Sequence, residues 1–243
     1  MKRLVAFALA STLALSGCAQ LPRDSAIGIG PDIASQDNGD FVYYSLSLPT
    51  DGASKEEIIS GFLSAGTGPQ NNYGIARTYL TLKAQADWMP SREVLIQDGS
   101  PVFTWIGQNV VTVDVKITAS IDENGVYQPA PAGSLRRLVY KMAKEDGQWR
   151  VSEAPDLTML IHPNFKVLFK PFSVYFFDTT HRFLVPDVRW FPSRSSTATH
   201  LVNARLKGAQ EWLVPALSEE SKVPFGLNTD AVTVTDNVAS VDL

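Results

Sequence analysis

The strongest constraint on the fold is a run of strict alternation at residues 110–121. Val111, Val113, Val115, Ile117, Ala119 and Ile121 alternate with Thr112, Asp114, Lys116, Thr118 and Ser120. Successive side chains of a β-strand point to opposite faces, so this period of two predicts one long strand, buried on one face and wet on the other. Such a strand needs neighbours to cover it. Shorter strands are predicted at residues 94–97, 102–106, 135–143 and 148–151. Asp122-Glu123-Asn124-Gly125 and Glu145-Asp146-Gly147 supply the turns, with Asn-Gly expected to take positive φ angles. Pro129, Pro131 and Gly133 mark a bulged connection.

Helices precede these strands. Ser54-Lys55-Glu56-Glu57 is a capping box, in which the serine hydroxyl accepts from the fourth residue's amide and Glu57 reaches back. Ile58, Ile59, Phe62 and Leu63 then share a helical face, and Gly66 stops the helix. A second helix is expected from Asn72, with Tyr73, Ala76, Tyr79 and Leu80 inward. Thr81 caps a continuation to Trp88, ended by Pro90. Helices followed by a curved antiparallel sheet predict an α+β fold.

Residues 155–162 read as a short helix leaving this block. A second unit follows, with a strand at 172–177, a turn at Asp178-Thr179-Thr180-His181 and a return strand at 182–185. A helix starting at Ser196 or Thr197 is expected to bury Leu201, Val202, the stem of Arg205 and Leu206, and to stop at Gly208. A shorter helical piece carries Trp212, Leu213 and Leu217. A last hairpin is predicted around Asp236-Asn237. The sequence stops at Leu243 in mid-strand, which reads as a fragment.

The other end carries an address. Lys2-Arg3, an apolar run over residues 4–15 and the small residues Ser16-Gly17 make a secretory signal, too short to span a membrane. Leu15-Ser16-Gly17-Cys18 fits a bacterial lipobox, with cleavage after Gly17 and a diacylglycerol on the Cys18 thiol. Cys18 is the only cysteine, so there is no disulfide and no thiolate metal site. Residues 19–46 form a tether punctuated by Pro22, Gly28, Gly30, Pro31 and Gly39. The formal charge is −4, and more negative still without Lys2 and Arg3. That argues against nucleic acid as a partner.

Motifs for chemistry are sparse. His162, His181 and His200 make no metal-like pair, and no Gly-x-Ser-x-Gly elbow appears. Asp122 and Asp178 fall in turns, where carboxylates bond local amides. Asp114 falls on the polar face of its strand. Asp187 and Arg189 sit in a proline-flanked segment and are read as a buried ion pair pinning a hairpin. Tyr79, Trp88, Tyr140 and Trp149 either line or fill the first core, and filling is favoured because no disulfide helps to hold it. No catalytic, metal or cofactor residue is assigned, and the chain is read as a non-enzyme.

Several pieces, in order, carry a resemblance. They are the lipobox, Ile59-Ser60-Gly61-Phe62-Leu63-Ser64-Ala65, Ala76-Arg77-Thr78-Tyr79-Leu80-Thr81, Trp88, and Asp146-Gly147-Gln148-Trp149-Arg150-Val151 with Pro155. Last come Val174-Tyr175-Phe176-Phe177-Asp178 and Leu184-Val185-Pro186-Asp187-Val188-Arg189-Trp190-Phe191-Pro192. Together they resemble the LpqB family of actinobacterial lipoproteins. The resemblance implies a signal peptide (1–17), a tether (18–46), an NTF2-like domain of two helices and a curved antiparallel sheet (47–165), and an incomplete GerMN-like α+β domain (166–243). A C-terminal β-propeller-like part of the family is absent. It further implies lipidation of Cys18 and residence on the outer face of the cytoplasmic membrane. The implied role is accessory to the MtrA–MtrB two-component system, through contact with the extracellular domain of its sensor histidine kinase. A small apolar ligand held in the NTF2-like cone is the alternative.

Overall fold

A computed structural model describes residues 46–193, 196–222, 227, 232–235 and 238–242. Its elements are helices and mostly antiparallel strands, an α+β fold. The signal, nearly all of the tether, Gly17, Cys18 and the Asp236-Asn237 turn lie outside the described residues.

Helix α1 (Lys55–Ala65) opens on the expected capping box. The Ser54 hydroxyl accepts from the Glu57 amide, and the Glu57 carboxylate accepts from the Ser54 amide at 2.7 Å. Ile58, Ile59, Phe62 and Ala65 are its buried face. Gly61 lies under the Tyr79 ring, where an added Cβ would come within 2.4 Å of a ring carbon. The next helix starts later than expected. Asn71, Asn72 and Tyr73 take positive φ, so α2 covers only Gly74–Arg77. Burial of the Tyr73 ring against Trp88, at 6.0 Å, accompanies this departure from local helical preference. Helix α3 (Leu82–Asp87) is capped by Thr81 as expected.

Strands β1 (Glu93–Gln97), β2 (Val102–Ile106), β3 (Val110–Asp122), β4 (Tyr127–Pro129), β5 (Leu135–Glu145), β6 (Gln148–Glu153) and β7 (Thr158–Ile161) form one sheet. Its main order is β6-β5-β3-β1-β7, with β2 and β4 also paired to β3. The first half of β3 lies between β2 and β5, and the second half between β1 and β4.

The change of partners hides a break in the alternation. Gln97 pairs with Ile117 and Ile96 with Ala119, so Thr118 is an extra residue in β3. A bulge of one residue turns later side chains to the other face. Val111, Val113, Val115 and Ile117 enter the first core, beneath α1. Ala119 and Ile121 enter a second core with Val94, Ile96, Leu160, Phe165 and Phe169. The expectation of one continuous buried face therefore fails at the bulge, and before it Thr112, on the expected wet side, is also buried. Beyond it, Leu95 and Met159 face the first core while Val94, Ile96 and Leu160 face the second.

This double burial explains the main departure from the sequence reading. Residues 158–161 are strand β7, parallel to β1, rather than part of a helix at 155–162. Thr158, Met159 and Leu160 are buried in succession, as expected of a strand covered on both faces. Helix α4 follows (His162–Leu168). The turns also differ in detail. Asp146 and Gly147 both take positive φ, whereas at residues 122–125 only Gly125 does.

Beyond α4, β8 (Phe169–Phe177) and β9 (Leu184–Pro192) form a hairpin. Helix α5 (Thr197–Lys207) packs on its inner face. Ala198 and Ala204 are its buried apolar residues, with Leu201 partly covered, rather than the expected Leu201, Val202 and Leu206. Small side chains let the helix axis approach the hairpin, and Arg205 lies over the Phe176 ring at 4.6 Å. Gly208 ends α5 with φ 103°. Leu213 and Leu217 close the third core around a 3-10 turn at Val214–Ala216, while Trp212 is exposed. A short hairpin pairs β10 (Thr233–Thr235) with β11 (Val238–Ser240).

Candidate functional site

Arg189 and Asp187 stand at the join between the first sheet and the β8–β9 hairpin. Both are two residues apart on β9, so they point to the same face and into the third core's edge. Asp187 is 0% exposed and Arg189 3%. The guanidinium donates to both Asp187 carboxylate oxygens, from Nε at 3.1 Å and Nη2 at 2.7 Å. It also donates to the carbonyls of Asn124, in the β3–β4 turn, and Gly208, past the end of α5. The Gln210 amide and side chain donate to Asp187. Burial pushes the Asp187 carboxyl pKa up, but the bonds from Arg189 and Gln210 outweigh it, and the net position is below the ordinary value. The expected ion pair is present. Its reach to Asn124 and Gly208 had no signal beyond the turn residues themselves.

The backbone reinforces this join. The Trp190 amide donates to the Gly125 carbonyl at 2.8 Å, and the Phe191 ring covers Gly125. Trp190 meets Phe165 at 5.0 Å and Tyr127 at 6.0 Å between ring centres. Lys207 reaches the Asn124 side chain at 3.0 Å.

Asp122, Asp178 and Asp114 serve local structure. Asp122 accepts from the Asn124 and Val126 amides. Asp178 accepts from the Thr180 hydroxyl and the amides of Thr180, Arg182 and Phe183, which hold its pKa down at about 2. Arg137 grips Asp114 with two bonds and lowers its pKa. His162 begins α4, His181 stacks on Phe177 and His200 stacks on Phe191, so the three are on separate elements. Among the described residues, no group of three or more His, Cys, Asp or Glu is arranged to hold a metal ion.

The aromatics fill the first core. Tyr79, Trp88 and Tyr140 are buried, and Trp149 is half-buried at the edge. Phe62 packs against Trp88 at 5.1 Å and Tyr140 at 6.1 Å. Burial alone pushes the Tyr140 phenol pKa well up. Open space lies instead beside α1, in a cleft bordered by Gln97, which residue-by-residue reading of the sequence did not single out. Its signal was an amide ending the apolar run Val94-Leu95-Ile96.

By fold and join, this is an α+β protein in which a bulged sheet separates two cores and a buried ion pair fastens a hairpin to it. Residues 48–166 match the family model of the N-terminal domain of lipoprotein LpqB. The lipoprotein LpqB of Bifidobacterium longum is 32% identical over 215 residues, 83% of this chain and 37% of that protein. The Cutibacterium acnes protein of that name is 28% identical over 234 residues, 96% of this chain and 39% of the relative. The Thermobifida fusca protein is 28% identical over 217 residues, 84% and 35% of the two chains. The chain belongs to the LpqB lipoprotein family. It spans less than two fifths of the length of these relatives. No solved structure matches it.

Proposed function

We propose that the chain is a lipid-anchored extracytoplasmic accessory protein, held through Cys18 on the outer face of the cytoplasmic membrane. It acts by protein contact, modulating the MtrA–MtrB system at the extracellular domain of the sensor histidine kinase. The observation that carries the reading is the family: these relatives are named lipoproteins, and this chain has a lipobox ending at Cys18. One acyl chain holds a protein to a bilayer only reversibly, so firm anchoring requires the diacylglycerol and a further acyl chain on Cys18. A tether then raises the effective concentration of the folded part near a membrane partner, so weak contacts suffice.

The first core is read as NTF2-like, and the hairpin with α5 as the start of a GerMN-like domain. A filled first core, with carboxylates committed to turns and ion pairs, supports contact rather than catalysis. Among the described residues no helix is long and apolar enough to cross a membrane. The test is metabolic labelling with a radioactive fatty acid followed by membrane fractionation. The wild type is expected to carry label and sediment with membranes, and the Cys18→Ser chain to do neither. A Cys18→Ser chain that keeps its label would remove the basis of the proposal.

A further inference from the structure

Strand β2 is an edge of the sheet: among the described residues it pairs with β3 alone. Its residues, Val102-Phe103-Thr104-Trp105-Ile106, include no charge and no proline. Phe103 and Trp105 lie opposite Val113 and Val111, on the side of the first core. Val102, Thr104 and Ile106 therefore share the outer face. Val102 is 62% exposed and Ile106 56%.

An edge strand offers unpaired amides and carbonyls to any passing strand, and folded proteins blunt such edges with charge, proline or a cover. The far edge of this sheet is blunted in that way. Strand β6 carries Arg150 and Glu153, and its Val151 exchanges backbone bonds with Tyr79 and Thr81. Strand β4 ends in Pro129. Strand β2 has none of these devices among the described residues.

The order of residues in β2 names its partner. Laid antiparallel to itself about Thr104, the strand sets Val102 opposite Ile106, Phe103 opposite Trp105, and Thr104 opposite its own copy. A two-fold axis normal to the sheet at Thr104 keeps each face on its own side. Aliphatic residues then meet aliphatic ones, and aromatic rings meet aromatic rings, which are favourable cross-strand pairs. Thr112 lies beside Thr104, and the exposed Val139 beside Thr112, so the outer row continues uncharged into the sheet.

We propose that β2 is the contact between two copies of this chain, joined edge to edge about Thr104 into one continuous sheet. The contact is isologous, the symmetry of most homodimers. It is also short, so the pair is weak in free solution. Two copies anchored on one membrane meet at raised effective concentration, and there a weak contact suffices. The test uses the unlipidated chain, so its outcome does not depend on the anchor.

Sedimentation equilibrium of the full chain carrying Cys18→Ser, at up to about 1 mM, is expected to show a reversible monomer–dimer equilibrium. Thr104 is exposed, so Thr104→Lys and Thr104→Glu are expected to keep the melting curve. Each sets like charges opposite one another across the axis and should weaken the dimer roughly fivefold or more. An equimolar mixture of the two sets lysine against glutamate and should restore it. A chain without either substitution at Thr104 that stays monomeric overturns the proposal and leaves the edge to an extended segment of a different protein. Dimerisation unchanged in Thr104→Lys also overturns it. A mixture no tighter than either variant alone overturns the register about Thr104.

Discussion

Arg189 gathers three separate parts of the chain onto one guanidinium: Asp187, the turn at Asn124 and the end of α5 at Gly208. A planar fork with several fixed donors can do this, and a lysine cannot. Removing one partner of a buried pair leaves an uncompensated charge and costs about 3–5 kcal/mol. Asp187→Asn is therefore expected to lower the unfolding free energy by roughly 3 kcal/mol in denaturant titration. A variant with the wild-type midpoint would remove the pinning role. The pH dependence has a definite sign. The folded pKa of Asp187 lies below 3.8, so the stability it contributes is present above that value and is lost as pH falls through the folded pKa. Acid unfolding should accordingly be shallower in Asp187→Asn than in the wild type. Asp178 offers a direct reading of the same effect. Its carboxyl carbon should titrate by NMR near pH 2 rather than 3.8, and Thr180→Val should move the midpoint upward.

At the scale of elements, the β3–β4 turn is the joint on which the hairpin rests. Gly125 has φ 77°, and a Cβ there would come within 2.7 Å of the Phe191 ring. Gly125→Ala combines a left-handed backbone penalty with a clash at the join. It should cost at least 1–2 kcal/mol, with a lower Tm by calorimetry. Ser54→Ala removes one half of a capping box and should cost about 1 kcal/mol, confined to α1. That second effect was legible in four adjacent residues, because capping is local. The Asp187–Arg189 pair was legible for a similar reason, since alternate residues of a strand share a face. The bulge at Thr118 was not. Its sequence alternates through the defect without a break, and only the pairing partners of β3 reveal that Ala119 and Ile121 have changed sides. Strand β7 was hidden by the same logic. An apolar run buried on both faces has no period, so Leu157-Thr158-Met159-Leu160 resembles a short helix until β1 is known to lie beside it. The cleft was invisible because its walls come from α1, β1, β2, β7 and α4, far apart in the sequence, and the lone signal was the amide of Gln97.

At the scale of the molecule, the proposed role in attachment and contact rests on a family of lipoproteins, a lipobox cysteine and a well-filled first core. Three cores share walls: β1 and β7 separate the first from the second, and β9 places Trp190 against the second and Phe191 in the third. Such shared walls, with the Arg189 join, fasten the hairpin to the sheet. The accessory role is tested most directly by co-purification of the chain with the sensor kinase from detergent-solubilised membranes, comparing wild type with Cys18→Ser. The kinase is expected to be recovered with the wild type, and recovery to fall sharply when the cysteine is replaced. Equal recovery with both chains would contradict the need for the anchor, and no recovery with either would contradict the contact itself.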